Sequence, residues 1–362
     1  MEKNTVVLLG VGDVGASDEP MESFSALARP VLAAADIRFG QCERVFSQRG
    51  SRHPHGSHHS RVPPIRASIY SDCAFDVLSV ASNHGLDWGE DALIDTLDLF
   101  KKKRIRTVGA GRDLREARQP AIIEKNGVRI AFLGYCSVLR QGYAAQPDSV
   151  GIAPLRAHTD YEPLDFNPGV PPRVVTVPYA EDLAGMLADI AAAKKLAHVV
   201  VLSLHWGVHF FPRIVAEYQP VIAHAAIDAG VDLILGHHPH IPKAIEVYKE
   251  RVCFYSLGNF IMTLRSTPEF KTAFSKRYGL EMHPLIAYGP DCDRVLVARA
   301  EISRTGVKKV SFLPALVDNQ LRPEILRRGD PRFDEMVRYM DWASQGYKHK
   351  FTVEGDEVLI TN

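Results

Sequence analysis

The sequence predicts an α/β fold with its functional site at the C-terminal ends of the strands, and three observations lead to this prediction. Continuous apolar runs at residues 5–11, 75–81, 199–204 and 231–235 are typical of strands buried on both faces. Amphipathic helical patterns separate these runs, as at residues 89–103. Acidic, carboxamide and imidazole side chains follow the runs. In open α/β sheets the ends of neighbouring strands converge on one crevice, which is where ligands bind.

Composition narrows the class of protein. Of the 362 residues, 46% are apolar and 24% charged, which is ordinary for a soluble globular enzyme. The chain has 43 Lys plus Arg and 43 Asp plus Glu, so its formal net charge is zero. This argues against a broad basic surface that binds nucleic acid, although a local basic patch is still compatible with zero net charge. No apolar run is long enough to span a bilayer. The N-terminus shows no signal-peptide core, and the five scattered cysteines contain no CxxC. We therefore expect a cytoplasmic protein with free thiols.

The first strand pattern ends at Gly12-Asp13-Val14-Gly15. Glycines on both sides of Asp13 let the backbone turn sharply and bring the carboxylate close to a ligand. A simple turn aspartate is the alternative. Residues 20–35 predict one amphipathic helix, and the extended segment 37–40 then places Glu43 as a second acid after a strand.

Residues 47–64 predict a long loop, because they lack periodicity and are rich in Gly, Ser, Pro, Arg and His. The functional interpretation is a lid that offers cations to an anionic substrate, and an ordinary mobile loop is the alternative. The candidate substrate-contacting residues are His53, His55, His58, His59 and Arg61.

A short helix near 66–74 precedes the strand at 75–81, whose end carries Asn83 and His84. A helix at 89–103, a strand at 105–108 and a hairpin around Asn126-Gly127 follow. The proline-rich residues 137–180 predict a second long loop, interpreted as another wall of the site.

The C-terminal half supplies most of the histidines. A helix at 181–195 precedes the strand that ends in His205-Trp206-Gly207-Val208-His209. A helix at 214–229 and the strand at 231–235 lead into Gly236-His237-His238-Pro239-His240. A surface histidine cluster without a role is the alternative interpretation. Residues 244–248, 253–255, 295–302 and 308–313 predict strands of an antiparallel sheet, and the tail 319–362 shows helix and hairpin signals.

The polar residues after the strands form one donor set: Asp13, Glu43, Asn83, His84, His205, His238 and His240. Oxygen and nitrogen donors without thiolates suit divalent Mn, Zn, Fe or Co. A site with two metals needs a bridging ligand, and a carboxylate can bridge where an imidazole cannot. The donor set therefore predicts a site for one or two divalent transition-metal ions.

The succession of motifs resembles the bacterial CapA family, the capsule or poly-gamma-glutamate synthesis proteins of the calcineurin-like metallophosphoesterase superfamily. The motifs that carry the resemblance are Gly12-Asp13, Glu43, 82–89, His205-Trp206-Gly207, 236–240 and 255–260. They occur in the family's order over about residues 5–262. The resemblance implies a four-layer α/β/β/α sandwich of the metallophosphoesterase type. We expect this domain to span residues 1–318, with residues 319–362 as a C-terminal extension packed on it.

The resemblance also implies roles for the site residues. Asp13, Glu43, Asn83, His205, His238 and His240 would ligate metal, with Glu43 in the position of the bridging acid and His237 as an additional candidate. His84 resembles the superfamily's catalytic histidine, which protonates the leaving group. The chain departs from the patterns at Gly15, where many phosphoesterases have a ligating His, and at His209, where CapA proteins tend to have Glu. His209 would be a substitute ligand, a catalytic base or a structural residue.

Two functions follow from the resemblance. The first is a metal-dependent hydrolase that uses a metal-activated water on a phosphoester, amide or ester bond of a small or polymeric substrate, with Asp13, His84 and His209 as catalytic candidates and Mn, Zn or Fe as the metal. The alternative is a non-catalytic accessory protein of capsule or poly-gamma-glutamate synthesis that binds an anionic polymer. Accessory proteins of that pathway are expected at the membrane, and the absence of a membrane span from the sequence counts against this alternative. We expect no nucleic-acid partner, and homo-oligomerisation stays open.

Overall fold

The computed structural model describes residues 5–56 and 61–362. Its strands are β1 (Val6–Gly15), β2 (Ile37–Cys42), β3 (Val77–Ser79), β4 (Arg106–Val108), β5 (Ala110–Gly111), β6 (Ala121–Lys125), β7 (Val128–Cys136), β8 (Gly151–Ile152), β9 (Ala157–Glu162), β10 (Arg173–Pro178), β11 (Val199–His205), β12 (Leu233–His237), β13 (Ile245–Tyr248), β14 (Arg251–Phe254), β15 (Asn259–Met262), β16 (Arg294–Ser303), β17 (Gly306–Val317), β18 (Pro323–Ile325), β19 (Lys350–Glu354) and β20 (Glu357–Thr361).

The helices follow the same chain order. They are α1 (Met21–Phe24), α2 (Arg29–Ala33), α3 (Ser68–Asp72), α4 (Gly89–Lys102), α5 (Leu114–Ala117), α6 (Ala180–Leu196), α7 (Tyr218–Asp228), α8 (Pro268–Tyr278) and α9 (Pro331–Ala343), and a 3₁₀ turn at Pro64–Ala67 precedes α3.

Two large sheets form the centre of the fold. The ten-stranded sheet has the order β19-β20-β17-β16-β1-β2-β3-β4, with β15 paired to β1 and β18 to β17. Strands β1 to β4 are parallel, whereas β16, β17, β19 and β20 pair antiparallel. The six-stranded sheet has the order β13-β14-β12-β11-β7-β6, with a parallel centre of β14, β12, β11 and β7. The candidate functional site lies at the parallel parts of both sheets.

The sheets pack face to face, and helices cover their outer faces. Phe39 of β2 stacks on Phe132 of β7 across the interface, with ring centroids 5.6 Å apart. Alternate residues of β7 face opposite ways: Phe132 joins the core between the sheets, and Leu133 joins the core under α6 and α7. Helices α1 to α4 cover the ten-stranded sheet. Burial on both faces explains the continuous apolar strand sequences, and the predicted four-layer α/β/β/α sandwich is confirmed.

Several predicted elements were wrong in detail. The helix at 20–35 is two short helices, because Pro30 lacks the N–H that a continuous helix needs and lies instead in the first turn of α2. The second loop contains an antiparallel hairpin, β9–β10. The strands predicted between 244 and 313 do not share one antiparallel sheet: β13 and β14 belong to the six-stranded sheet, and β16 and β17 to the ten-stranded sheet.

The tail continues the ten-stranded sheet. Strand β20 pairs with β17, β19 pairs with β20, and Phe333, Met336 and Met340 of α9 are buried in the core between the sheets. Within the described ranges, no helix has the length and apolar character needed to cross a membrane.

Candidate metal centre

The predicted donor residues come together, and each sheet supplies half of them. Asp13 of β1, Glu43 after β2 and Asn83 after β3 come from the ten-stranded sheet. His205, the last residue of β11, and two histidines after β12 come from the six-stranded sheet. All six side chains are buried: Asp13, Glu43, Asn83, His205, His238 and His240. The crevice thus lies where strand ends of the two sheets meet.

Asp13 lies inside β1 instead of after it. The strand continues to Gly15 because residues 13–15 gain a second partner, β15, and its pairing with β2 shifts register between Gly10 and Asp13. A Cβ on Gly12 would lie 1.9 Å from the Gly258 carbonyl oxygen, so only glycine fits there. The Asp13 N–H donates to that same oxygen at 3.0 Å. This close approach fixes the position of the Asp13 carboxylate.

The histidine turn after β12 has an unusual backbone. His238 has φ = 96° and His240 has φ = 61°, both in the region that side chains other than glycine rarely adopt. Such residues cost on the order of 1–3 kcal/mol each and cluster at functional sites. The His238 N–H donates to Asp13 Oδ2 at 3.2 Å. The turn therefore holds two imidazoles against the acids of the other sheet.

The donors form two groups that share Glu43. One group is Asp13, Glu43 and His240, and the other is Glu43, His205 and His238; within each, one ligand atom per residue lies within 4.8 Å of the others. Glu43 Oε1 lies 3.6 Å from Nε2 of His205 and 3.6 Å from Nε2 of His240. A carboxylate between two imidazoles has the chemistry of a ligand that bridges two cations.

Unsatisfied buried atoms fit a cation at this position. Within the described residues, Asp13 Oδ1, Glu43 Oε1, His205 Nδ1 and His238 Nδ1 are buried without a hydrogen-bond partner. Leaving such an atom unsatisfied costs about 1–3 kcal/mol. The donors are oxygen and nitrogen, as a divalent transition metal prefers when no thiolate is present. The residues present therefore fit a metal ion.

Burial also sets the protonation of these groups. It raises the pKa of Asp13 to about 7, against the lowering effect of the His238 N–H, and raises the pKa of Glu43 well above its usual value, with the charge of Asp13 adding to the shift. Burial lowers the pKa of His205 and His238 well below the usual value. The imidazoles are thus neutral at pH 7, the form in which histidine binds metal.

Two asparagines complete the surroundings of the acids and histidines. Asn83 Oδ1 lies 2.9 Å from His205 Nε2, beside the second donor group. Asn259 Oδ1 accepts a hydrogen bond from His240 Nδ1 at 2.8 Å. Asn259 lies in the 255–260 motif, but its contact with His240 could not be predicted, because β15 and the histidine turn meet only in the folded chain.

His84 has a carboxylate partner that the sequence analysis did not assign. His84 Nδ1 lies 2.8 Å from Asp87 Oδ2, and the Tyr143 hydroxyl donates to Asp87 Oδ1 at 2.6 Å. The i, i+3 spacing of His84 and Asp87 was the one available signal. Burial lowers the pKa of His84, whereas the hydrogen bond and charge of Asp87 oppose that shift. The second loop thus reaches the site through Tyr143.

His209 and His237 lie next to the two donor groups without belonging to them. The His209 ring lies 4.0 Å from the His238 ring, centroid to centroid, and lines the adjoining cavity. His237 is fully buried, with Nδ1 3.8 Å from Asp13 Oδ1 and its ring beside Phe39. Burial lowers the pKa of each to about 3. Both are neutral rings at pH 7.

The first loop approaches the site at its edge. The His53 ring packs edge-on against Tyr143 at 4.9 Å, and the backbone N–H of His53 donates to the Asp87 carbonyl. Arg140 donates to the His55 carbonyl at 3.1 Å. Arg61 donates to the carbonyls of Arg49 and Gly50, so this cation holds the loop together. His58 and His59 lie outside the described residues.

A cavity of about 660 Å³ opens beside the donor groups. Asn83, His84, His209 and His240 form its floor, and α8 forms one wall. Residues 263–290 carried no predicted element, because only Phe274 of α8 is buried and most of the helix is polar or exposed. The cavity adjoins the candidate metal ligands Asn83 and His240.

Comparison with known sequences identifies the family. The sequence model of the family described as bacterial capsule synthesis protein PGA_cap matches residues 10–264, more than half of the chain and every donor residue. The chain belongs to the PGA_cap family. The predicted resemblance to capsule synthesis proteins is confirmed.

Two named relatives and one solved structure illustrate the similarity. The PGA biosynthesis protein CapA of Bacillus subtilis is 34% identical over 242 residues, which are 66% of this chain and 57% of the relative. The capsule biosynthesis protein CapA of Bacillus anthracis is 32% identical over 194 residues, 52% of this chain and 41% of the relative. The chain thus spans about half the length of these PGA_cap relatives. The calcineurin-like phosphoesterase YfkN of Bacillus subtilis has a TM-score of 0.43 at 10% identity, over 95% of this chain and 97% of that one.

Proposed function

We propose that the protein is a metal-dependent hydrolase that acts on a phosphoester, amide or ester bond. The observation that carries the proposal is the carboxylate of Glu43, shared between two buried donor groups whose ligand atoms lie within 4.8 Å of one another. Asp13 and His240 would hold one ion with Glu43, and His205, His238 and Asn83 would hold the other. The donor chemistry suits Mn, Zn or Fe, as one ion or two.

When bound, such ions supply Lewis acidity, which lowers the pKa of a water molecule and neutralises charge that develops in the transition state. Open metal sites that adjoin a cavity are typical of catalysis, whereas structural sites are closed and rich in thiolate. Here Asn83 and His240 line a cavity, and no donor is a cysteine.

His84 is the proposed proton donor to the leaving group. Its Nδ1 is held by Asp87, which makes Nε2 the atom for proton transfer. Asp87 also opposes the burial that disfavours the protonated ring. His209 lines the cavity and is the second candidate for proton transfer. The loop of residues 47–64 would contact substrate at the edge of the site through His53 and His55, without ligating metal.

A second function is supported by the relatives. The two named relatives are biosynthesis proteins of capsule or PGA, which favours a non-catalytic role in binding an anionic polymer during that synthesis. A cytoplasmic location and a single domain over residues 1–318 remain part of our proposal in either case.

The deciding experiment is elemental analysis of protein purified without chelator, followed by a panel of phosphoesters, amides and esters assayed with the best-bound metal. We expect one to two ions per chain and metal-dependent turnover of one bond class. Metal without turnover of any substrate, together with binding of poly-gamma-glutamate, would favour the accessory role. Protein that neither contains metal nor is stabilised against heat by added Mn²⁺ or Zn²⁺ would contradict the proposal.

A further inference from the structure

The cavity beside the donor groups has one sign of charge on its walls. Three arginines line it, Arg44, Arg140 and Arg277, and among the described residues no aspartate or glutamate does. Arg44 is buried, whereas the other two lie at the exposed rim. A low-dielectric cleft lined by cations concentrates anions. The ligand therefore carries a negative group.

Arg44 occupies a position next to the metal-binding residues. It follows Glu43 directly, and its Nε donates to the Gly15 carbonyl at 3.2 Å. A Cβ on Gly15 would lie 3.2 Å from that Nε and 2.6 Å from Met262 Sδ. Glycine at position 15 thus leaves room for the Met262 side chain and, less tightly, for the Arg44 guanidinium, so the position that often holds a ligating histidine in phosphoesterases lies beside a cation here. The negative group of the ligand belongs at this end of the cavity.

The wall formed by α8 is mostly aromatic, although it also carries Arg277. Phe270, Phe274 and Tyr278 of α8 line it together with Tyr288, whose ring lies 4.2 Å from that of His240. Phe270 lines the cavity, but 45% of its surface is exposed, which is a high fraction for a phenylalanine. It has no structural role in the core. Aromatic walls with a few placed polar groups are the usual surroundings of a small organic ligand.

The two walls together exclude a chain of charges. A polymer with a carboxylate on every unit would press its second and third carboxylates against the aromatic wall, and burying an unpaired charge is costly. A ligand with one anionic head and one apolar body satisfies both walls. We propose that the cavity binds a small organic anion of this kind, a phosphate or carboxylate with an aromatic or branched aliphatic body. The inference rests on the proposed hydrolase function, because it treats the cavity as the place where substrate meets the metal site.

Calorimetric titration of the full chain loaded with Mn²⁺ tests the inference without turnover. The probes are methylphosphonate, phenylphosphonate, 3-phenylpropanoate and tri-γ-glutamate; the phosphonates carry a P–C bond that hydrolysis does not cleave. We expect phenylphosphonate to bind at least about tenfold more tightly than methylphosphonate, because its ring leaves water for the aromatic wall. Comparison of phenylphosphonate with 3-phenylpropanoate identifies the preferred anionic head.

Variants separate the contribution of the aromatic side chains from that of the arginines. Phe270→Ala should remove most of the preference for phenylphosphonate and leave methylphosphonate binding unchanged. Arg277→Gln should weaken both phosphonates by about fivefold, as expected for an exposed cation. Lys276→Gln, on the same helix but outside the lining, is the matched control and should change neither.

Equal affinity for the two phosphonates, or tighter binding of tri-γ-glutamate than of phenylphosphonate, would overturn the inference. Failure of the proposed function looks different. If the phosphonates follow the predicted pattern but no phosphoester, amide or ester is hydrolysed, the hydrolase proposal fails and the ligand class stands. If hydrolysis is metal-dependent but indifferent to the apolar body, the hydrolase stands and the ligand class fails.

Discussion

Asn259 fixes the tautomer of His240. The Asn259 Nδ2 donates to the carbonyls of His240 and Cys292, both at 3.3 Å, so the amide cannot be turned over and Oδ1 must be the acceptor for His240 Nδ1. The proton of the imidazole is therefore on Nδ1, and the lone pair is on Nε2, the atom 3.6 Å from Glu43 Oε1. Hydrogen bonds of this kind orient metal-binding histidines and affect metal affinity by about 10–100-fold.

Substitution of Asn259 should thus weaken metal binding without touching a ligand. We expect Asn259→Ala to lower the affinity for Mn²⁺ or Zn²⁺ by about tenfold or more, measured by calorimetry. Asn259→Asp keeps the acceptor for His240 Nδ1 and should bind metal more tightly than Asn259→Ala. Equal affinities in the two variants would show that the tautomer is not controlled in this way.

Three variants should separate the shared ligand from a single-group ligand and from a catalytic residue. Glu43→Gln removes the carboxylate common to both groups and should abolish most metal binding. Asn83→Ala should lose no more than one ion per chain, because Asn83 lies beside only one group. His84→Ala should keep the metal content of the native protein. Elemental analysis of the three proteins checks this order, and loss of metal in His84→Ala would place that ring among the ligands.

Tyr143 should affect kcat through its hydrogen bond to Asp87, and it should not affect substrate binding. His84→Ala is expected to lower kcat by about 10²–10⁴-fold, the range of a general acid. Tyr143→Phe removes one hydrogen bond to Asp87 and should lower kcat by about tenfold, since a hydrogen bond to a charged group contributes about 1.5–3 kcal/mol. KM and metal content should not change. The assay uses the substrate found by the panel, and a rise in KM at constant kcat would reassign Tyr143 to substrate contact.

The anchor of the first loop is predicted to depend on pH. Arg49 and Ser47 both bind Asp95 of α4, and the hydrogen bond from Arg49 is the main cause that lowers the pKa of Asp95. A lowered acid pKa means that the stabilisation is fully present above the usual value of 3.8 and is lost as the pH falls through the folded value. Asp95→Asn should therefore reproduce at neutral pH what acid does to the native loop.

Limited proteolysis with trypsin, at neutral pH, measures that effect. Cleavage after Arg49, Arg52 or Arg61 should be faster in Asp95→Asn than in the native protein. Because Arg49 is exposed to solvent, the pair is screened and global stability should change little. Glu90→Gln, on the exposed side of the same helix, is the control. Equal cleavage of the two variants would mean that other contacts hold the loop.

The contact between Gly12 and Gly258 should be intolerant of one methyl group. Gly12→Ala places a Cβ 1.9 Å from a backbone oxygen, which must force β1 away from the 256–259 turn. We expect a loss of about 1–3 kcal/mol in the free energy of unfolding, by urea titration, together with weaker metal binding. Gly185→Ala in α6 meets only the flexible end of Arg118 and should stay within about 1 kcal/mol of the native protein. A native-like Gly12→Ala would contradict the proposed rigidity of this contact.

The sequence predicted the local elements better than their arrangement. Helix α4 begins and ends close to the expected residues, because its apolar periodicity reflects a single buried face. Helices α6 and α7 also lie close to their expected ranges, although their amphipathic pattern is weak. The distribution of β13, β14, β16 and β17 between two sheets could not be predicted, since strand pairing depends on residues far apart in the chain. The donor residues were found because each lies at or just after the end of an apolar strand pattern in the sequence. Asp87 and Asn259 were not assigned, because their importance lies in partners such as Tyr143 and His240 that only folding brings near.

The division of the donors between two sheets has a consequence for how the protein assembles. Asp13, Glu43 and Asn83 belong to the ten-stranded sheet, and the histidines belong to the six-stranded sheet, so neither sheet alone offers a complete donor group. High-affinity binding must await the docking of one sheet on the other, and a bound ion then joins them at one end. An ion that binds only the docked form stabilises that form by mass action. Metal supply would therefore favour chains that have completed folding. Chains whose sheets have not docked would lack metal and stay exposed to degradation.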